Sequence, residues 1–163
     1  MEIILAENHG FCYGVKRAVE MANEAADGKG KSYTLGPIIH NPQVVGRLES
    51  KGVSPIQEVA DIDEGTMIIR SHGVGPAIYA EAEEKGLHIL DATCPHVKKA
   101  QQDAKSVIED GMTLVILGEK NHPEVKSINL WANNKGIIIE DEESAQKLQI
   151  VEKMGVVVQT TFS

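Results

Sequence analysis

Cys12 in GFCYGVKRAVE and Cys94 in TCPHVKKAQQD each stand at the head of an amphipathic helical pattern. A thiol in that place faces unpaired N–H groups and the positive end of the helix dipole, which favour its thiolate. Thiolates of this kind ligate soft metals or iron–sulfur clusters. His40 in HNP and His122 in HPE stand beside two further helix starts, where free N–H donors and imidazoles suit phosphate oxygens. SHGVG, residues 71–75, adds His72 and glycines that let backbone approach a ligand closely. Glu124 is the one acid among these donors, and Thr160 follows the last apolar run. Singly, each has an ordinary explanation: a loop histidine, a buried small thiol, or a helix-start acid complementing the dipole.

The elements that must position these residues alternate between short aliphatic runs and helical patterns, the signature of βαβ units and parallel sheets. The apolar runs predict strands over 2–6, 32–35, 66–70, 88–91, 113–117, 136–139 and 155–159. The helical patterns cover 14–27, 42–51, 76–85, 95–110, 123–132 and 142–147, and several open on proline, which suits the first helical position. Parallel sheets bind ligands outside the carboxyl ends of their strands, where His40, His72, Cys94, His122 and Thr160 all fall. His9, His88 and His96 read as loop or surface residues, and Trp131 and the alanines of the first helix as core.

Sliding the sequence over itself by eighty-two positions exposes a repeat. Cys12 falls on Cys94, Val15 on Val97, Lys16 on Lys98, Arg17 on Lys99 and Ala18 on Ala100; Leu35 falls on Leu117, Gly36 on Gly118 and His40 on His122. With seven more residues of gap, MIIRSHG lies over VVVQTTF. The chain thus reads as two copies of one parallel α/β unit, residues 1–93 and 94–163. Pseudo-symmetry would bring Cys12, Cys94, His40 and His122 around one axis. The second copy stops at Ser163 where a helix is due, so the chain reads as a piece of a longer one.

With 163 residues, 42% of them apolar, a globular core is within reach. The net charge of −8, with lysines and arginines scattered among acids, argues against nucleic-acid binding. No apolar run approaches the ~18 residues of a membrane span, and the N-terminus lacks a signal-peptide pattern. The expected location is the cytoplasm, where two distant cysteines are not a disulfide scaffold.

GFCYGVKRAVE, LGPIIHNPQVV, RSHGV, DATCPHVKK, LGEKNHPEV and QTT, in that order, resemble the consecutive motifs of the 4-hydroxy-3-methylbut-2-enyl diphosphate reductases. The resemblance implies three similar α/β lobes in a trefoil around a 4Fe-4S cluster, of which this sequence covers two. It implies that Cys12 and Cys94 are cluster ligands, with a third cysteine beyond Ser163. It also implies that His40, His72 and His122 bind the substrate diphosphate, that Glu124 relays protons, and that Thr160 lies near the substrate hydroxyl. The activity implied is an iron-sulfur oxidoreductase of the methylerythritol phosphate pathway of isoprenoid biosynthesis. It converts the allylic diphosphate to isopentenyl and dimethylallyl diphosphates, using an external electron donor such as ferredoxin or flavodoxin. This chain alone is expected to be inactive. Ser127 and Leu130 depart from glycines usual in the family, and Tyr13 from a small residue.

Two other readings compete. One is a structural module holding one zinc ion by Cys12, Cys94, His40 and His122, although zinc ligands usually come in close pairs. The other is a diphosphate-binding regulatory domain that uses the histidines and not the cysteines.

Overall fold

The structure, a computed structural model, describes residues 2–7, 9–28, 30–149 and 152–162. Met1 and Ser163, the outer bounds of the two expected units, lie outside the described residues. The first part of the chain forms α1 (Tyr13–Asp27), β1 (Ser32–Leu35), α2 (Pro42–Ser50), β2 (Val53–Ile56), a 3-10 turn (Val59–Asp61), β3 (Thr66–Ile69), α3 (Pro76–Glu84) and β4 (His88–Asp91). The second forms α4 (Pro95–Glu109), β5 (Thr113–Leu117), α5 (Pro123–Trp131), β6 (Ile137–Ile139), α6 (Glu142–Gln146) and β7 (Met154–Val158). Four helices carry proline in their first turn, where its missing N–H has no helical partner to lose.

Both sheets are wholly parallel. The first runs β2-β1-β3-β4 and the second β6-β5-β7, so β1, β2 and β3 have β5, β6 and β7 as like-placed counterparts. The repeat read from the sequence is therefore a repeat of topology.

Alternation along β3 sends Ile68 to one face and Met67 and Ile69 to the other, and all three are fully buried. Ile68 packs with Ala18 and Ala22 of α1, whose small side chains let that helix come close, and with Val44 and Leu48 of α2. Met67 and Ile69 pack with Val59, Ile62, Leu87 and Ala82 of α3. In the second lobe Leu114 and Ile116 meet Ala100 and Ala104 of α4 and Val125 and Ile128 of α5. The other side of β7 is open: Met154, Val156 and Val158 are 38%, 53% and 45% exposed.

Residues 2–6 do not form the expected first strand, and Ile3, Ile4 and Leu5 stand exposed. A strand exists only by pairing, and no strand among the described residues pairs with this run. β2 went unread because Pro55 interrupts it. It lies at the sheet edge, where proline is tolerated. Trp131 is half-buried rather than core: its Nε1 donates to the Val74 carbonyl at 2.9 Å and its ring meets Tyr79 edge-on, joining α5 to the first lobe.

Candidate functional site

The carboxyl ends of β1, β3, β5 and β7, with the helix starts that follow them, carry His40, His72, His122, Glu124 and Thr160, while Cys94 follows β4 and Cys12 precedes α1. Cys12 is the N-cap of α1 and Cys94 the N-cap of α4; neither thiol caps its own helix, and both are free. α1 and α4 meet head to head. A Cβ built on Gly14 would come within 2.5 Å of the Cys94 Sγ, so that thiol lies against the backbone two residues from Cys12. Arg17 of α1 holds the junction by donating to the carbonyls of Thr93 at 3.2 Å and Asp91 at 3.4 Å. The Asp91 carboxylate accepts from the Thr93 N–H at 2.9 Å and pairs with Lys98 at 2.6 Å. Burial pushes Asp91 up, but Lys98 and Thr93 outweigh it and hold the carboxyl below its usual range. The turn leading into Cys94 is thus clamped from both helices.

The histidines converge. His40 follows β1, His72 follows β3 and His122 is the N-cap of α5. Ligating nitrogens of all three lie within 4.8 Å of one another, with ring centroids 4.6, 5.3 and 6.1 Å apart. His122 Nδ1 accepts the Glu124 N–H at 3.2 Å, so the neutral ring carries its proton on Nε2. His72 is held neutral. Burial first, then the neighbouring His40, His122 and Arg70, bring its pKa to about 4. Its Nδ1 is buried without a partner, as are Thr93 Oγ1 and Arg70 Nε. Three unsatisfied polar atoms around the ends of β3 and β4 are what a site made for a polar ligand leaves behind.

Glu124 is 1% exposed, and Thr160 satisfies both its oxygens: the backbone N–H donates at 2.6 Å and the hydroxyl at 2.8 Å. The end of β7 is thereby fixed to the first turn of α5. Ser127, one helical turn on, is buried and lies 2.8 Å from the His72 carbonyl and 2.9 Å from the Glu124 carbonyl, while Gln101 donates to its oxygen at 3.1 Å. The Gln101 amide lies over Gly73, whose φ of +72° and lack of a side chain permit that contact. One hydroxyl therefore touches a histidine-bearing loop of the first lobe and two helices of the second.

The structure brings His40, His72 and His122 together and sets Glu124 and Thr160 in contact. The four-residue zinc grouping of Cys12, Cys94, His40 and His122 is corrected: the only metal-capable group among the described residues contains His72 and neither cysteine. The tautomer of His122 also disfavours metal. A ligating imidazole normally donates its other N–H, whereas here Nδ1 faces a donor and Nε2 holds the proton. Such a ring is built to donate to an anion. The roles of Arg17, Gln101 and Arg70 escaped the sequence reading. Gln101 alone left a signal there, as a polar residue on the apolar stripe of Val97, Ala100 and Ala104.

Residues 3–163 match the family described as LytB protein. The chain is 51% identical to the 4-hydroxy-3-methylbut-2-enyl diphosphate reductase of Geotalea uraniireducens and 50% identical to that of Geobacter metallireducens, in each case over 100% of its own length and 58% of the relative's. It is also similar to the solved structure of (E)-4-hydroxy-3-methyl-but-2-enyl diphosphate reductase, described as the terminal enzyme of the non-mevalonate pathway. That likeness has a TM-score of 0.84 and 46% identity, over 98% of this chain and 58% of the other. The Plasmodium falciparum E-1-hydroxy-2-methyl-but-2-enyl-4-diphosphate reductase gives a TM-score of 0.89 and 33% identity, over 95% of this chain and 50% of the other. The chain therefore spans about three-fifths of the length of these curated relatives. With two like lobes, a free cysteine at the N-cap position of α1 and of α4, and a match running through residue 163, this chain belongs to the LytB protein family.

Proposed function

We propose that this chain carries the substrate-binding and proton-donating parts of a reductase acting on 4-hydroxy-3-methylbut-2-enyl diphosphate. The allylic C–O bond breaks, two electrons and two protons enter, and water leaves, giving isopentenyl and dimethylallyl diphosphates. The observation that carries this reading is the convergence of three imidazoles from two lobes beside the Glu124–Thr160 pair. Residues 1–93 and 94–163 are the two units that meet there.

His122 offers its Nε2–H to a diphosphate oxygen, held in that tautomer by the Glu124 backbone. His72, neutral when the site is empty of anion, gains a proton as a diphosphate draws near, and its imidazolium then makes a charge-assisted bond. Glu124 is the acid that relays a proton to the departing hydroxyl oxygen, and Thr160 fixes the carboxyl plane by donating its N–H and its hydroxyl to the two carboxyl oxygens. Cys12 and Cys94 fit a 4Fe-4S cluster. Both thiols are free at helix N-termini, and the bare Gly14 backbone leaves room against the Cys94 sulfur. When bound, the cluster supplies the electrons one at a time, from a single-electron carrier of the ferredoxin or flavodoxin class. Among the described residues no helix is long and apolar enough to cross a membrane, and the free thiols suit the reducing cytoplasm.

The experiment is a graft. This chain replaces the matching 58% of the Geotalea uraniireducens relative, and the chimera is purified without oxygen. It is expected to turn over 4-hydroxy-3-methylbut-2-enyl diphosphate with a reduced viologen. Cys12→Ser or Cys94→Ser is expected to cost iron and activity together, and His122→Asn to weaken diphosphate binding. A folded chimera with full iron content and no turnover would defeat the reading.

A further inference from the structure

Arg70 follows β3, two residues before His72, and the chemistry above makes no use of its guanidinium. The side chain is half-buried, and burial lowers its pKa. Among the described residues it joins no ion pair, and its Nε is buried with no hydrogen-bond partner. Buried cations are ordinarily paired, so a guanidinium in this condition marks the place of an anion.

Its surroundings say which kind. One guanidinium nitrogen lies over the Gly36 backbone, within 2.7 Å of where a Cβ would stand. Both residues line a cleft of about 330 Å³ at the junction of the lobes. Lys126 of α5 lines it from the second lobe, and it too joins no ion pair among the described residues. No aspartate or glutamate lies on the walls, in a chain whose net charge is −8. Leu35, Val74, Ile78 and Leu130 make the walls partly apolar. None of the three histidines lines the cleft, nor does either cysteine.

We propose that this cleft is a second anion site, one that takes a phosphate monoester with a short apolar substituent through Arg70 and Lys126. A guanidinium grips two phosphate oxygens at once, and the ammonium meets the charge that remains on a dianion. The substituent lies on Leu35, Ile78 and Leu130, which gives the site a preference over bare phosphate. Because its two cations come from different lobes, an occupant ties the lobes together beside Ser127, another residue of its wall. It also speaks to the histidines. The Arg70 charge is one cause of the low pKa of His72, so an anion on Arg70 makes that imidazole easier to protonate.

The test is a nuclear magnetic resonance titration of the isotope-labelled chain with n-butyl phosphate and with inorganic phosphate, following the Arg70 Nε–H signal and the imidazoles. The Arg70 signal is expected to shift saturably with both, n-butyl phosphate binding roughly tenfold tighter. The shift should survive His40→Asn. Arg70→Gln should weaken n-butyl phosphate at least tenfold and Arg70→Lys less; should Arg70→Gln fail to fold, Lys126→Gln, on an exposed residue, should weaken it several-fold. An Arg70 signal that stays still while the imidazoles shift would show that the histidines alone take anions, and the proposal falls. An Arg70 shift with unmoved imidazoles upholds the cleft as an anion site but overturns its coupling to His72, and counts against the diphosphate reading. Equal affinity for the two phosphates would overturn the assigned ligand class.

Discussion

Glu124 receives two hydrogen bonds from a single residue, and that economy sets what a substitution does. In Glu124→Gln the amide oxygen keeps one Thr160 donor and the Thr160 hydroxyl turns to accept from the new NH₂, so the fold stands. The proton is no longer deliverable. In the grafted enzyme turnover should fall roughly 10²-fold or more, the effect usual for a general acid, with diphosphate affinity unchanged; steady-state kinetics beside calorimetric binding would show the split. His72 makes a second prediction at this scale. Its pKa is about 4 in the folded chain against 6.5 ordinarily, so the unfolded chain holds more protons between these values. The contribution is whole above pH 6.5 and is lost as pH falls through about 4. Discounted for partial solvent screening, the loss is on the order of 1–2 kcal/mol. Denaturant melts across that range should show it, and His72→Asn should flatten the profile. If His72 binds diphosphate as proposed, the anion reverses the preference, and binding near pH 6 should take up protons, read as a buffer-dependent heat in calorimetry.

Helix starts, more than helices, carry the chemistry, and they were the most legible part of the sequence. The proline-led patterns placed α2, α3, α4 and α5 to within a residue at each end, because proline after a capping position leaves little choice of where a helix begins. Cysteines and histidines at those starts could be counted along the chain. Their tautomers, partners and burial could not, since Glu124 meets Thr160 across thirty-six residues and Ser127 meets His72 across fifty-five. Strands were less legible: β2 hid behind Pro55, and residues 2–6 had the composition of a strand without a partner. The meeting of α1 with α4 yields the element-scale prediction. Gly14→Ala should raise helix propensity by up to ~1 kcal/mol, yet the new methyl would crowd the Cys94 thiol and its Cβ, at 2.5 and 3.1 Å. Overpacking costs about 1–3 kcal/mol, so the net expectation is a lower Tm and an altered rate of Cys94 alkylation. An unchanged alkylation rate would show that the helices part without disturbing the thiol.

The lobes are joined where their chemistry meets. Ser127→Ala should leave the secondary structure intact but strand the Gln101 amide and loosen the loop bearing His72 from α5, at about 1–3 kcal/mol for an unmet buried donor. Hydrogen exchange should rise around residues 71–75 more than in β1 or β5, and Ser127→Thr, which keeps the hydroxyl, should restore much of the protection. The repeat that foretold two lobes also foretold their common strand order, since a pattern that recurs in sequence recurs in topology. α3 covers Met67 and Ile69 of β3, while Met154, Val156 and Val158 of β7 are exposed, at the end of the second copy where the sequence pattern has a helix due. The strand order has one more consequence, and it is kinetic. Both sheets put the strand that comes third in the chain beside the first, so Ser32 waits for Thr66 and Thr113 for Met154. No hairpin nucleates either sheet, and each long loop must lose its entropy before the pairing returns anything. Folding on the millisecond-to-second scale follows, with each lobe closing its own loop before the histidines of one can find the glutamate of the other.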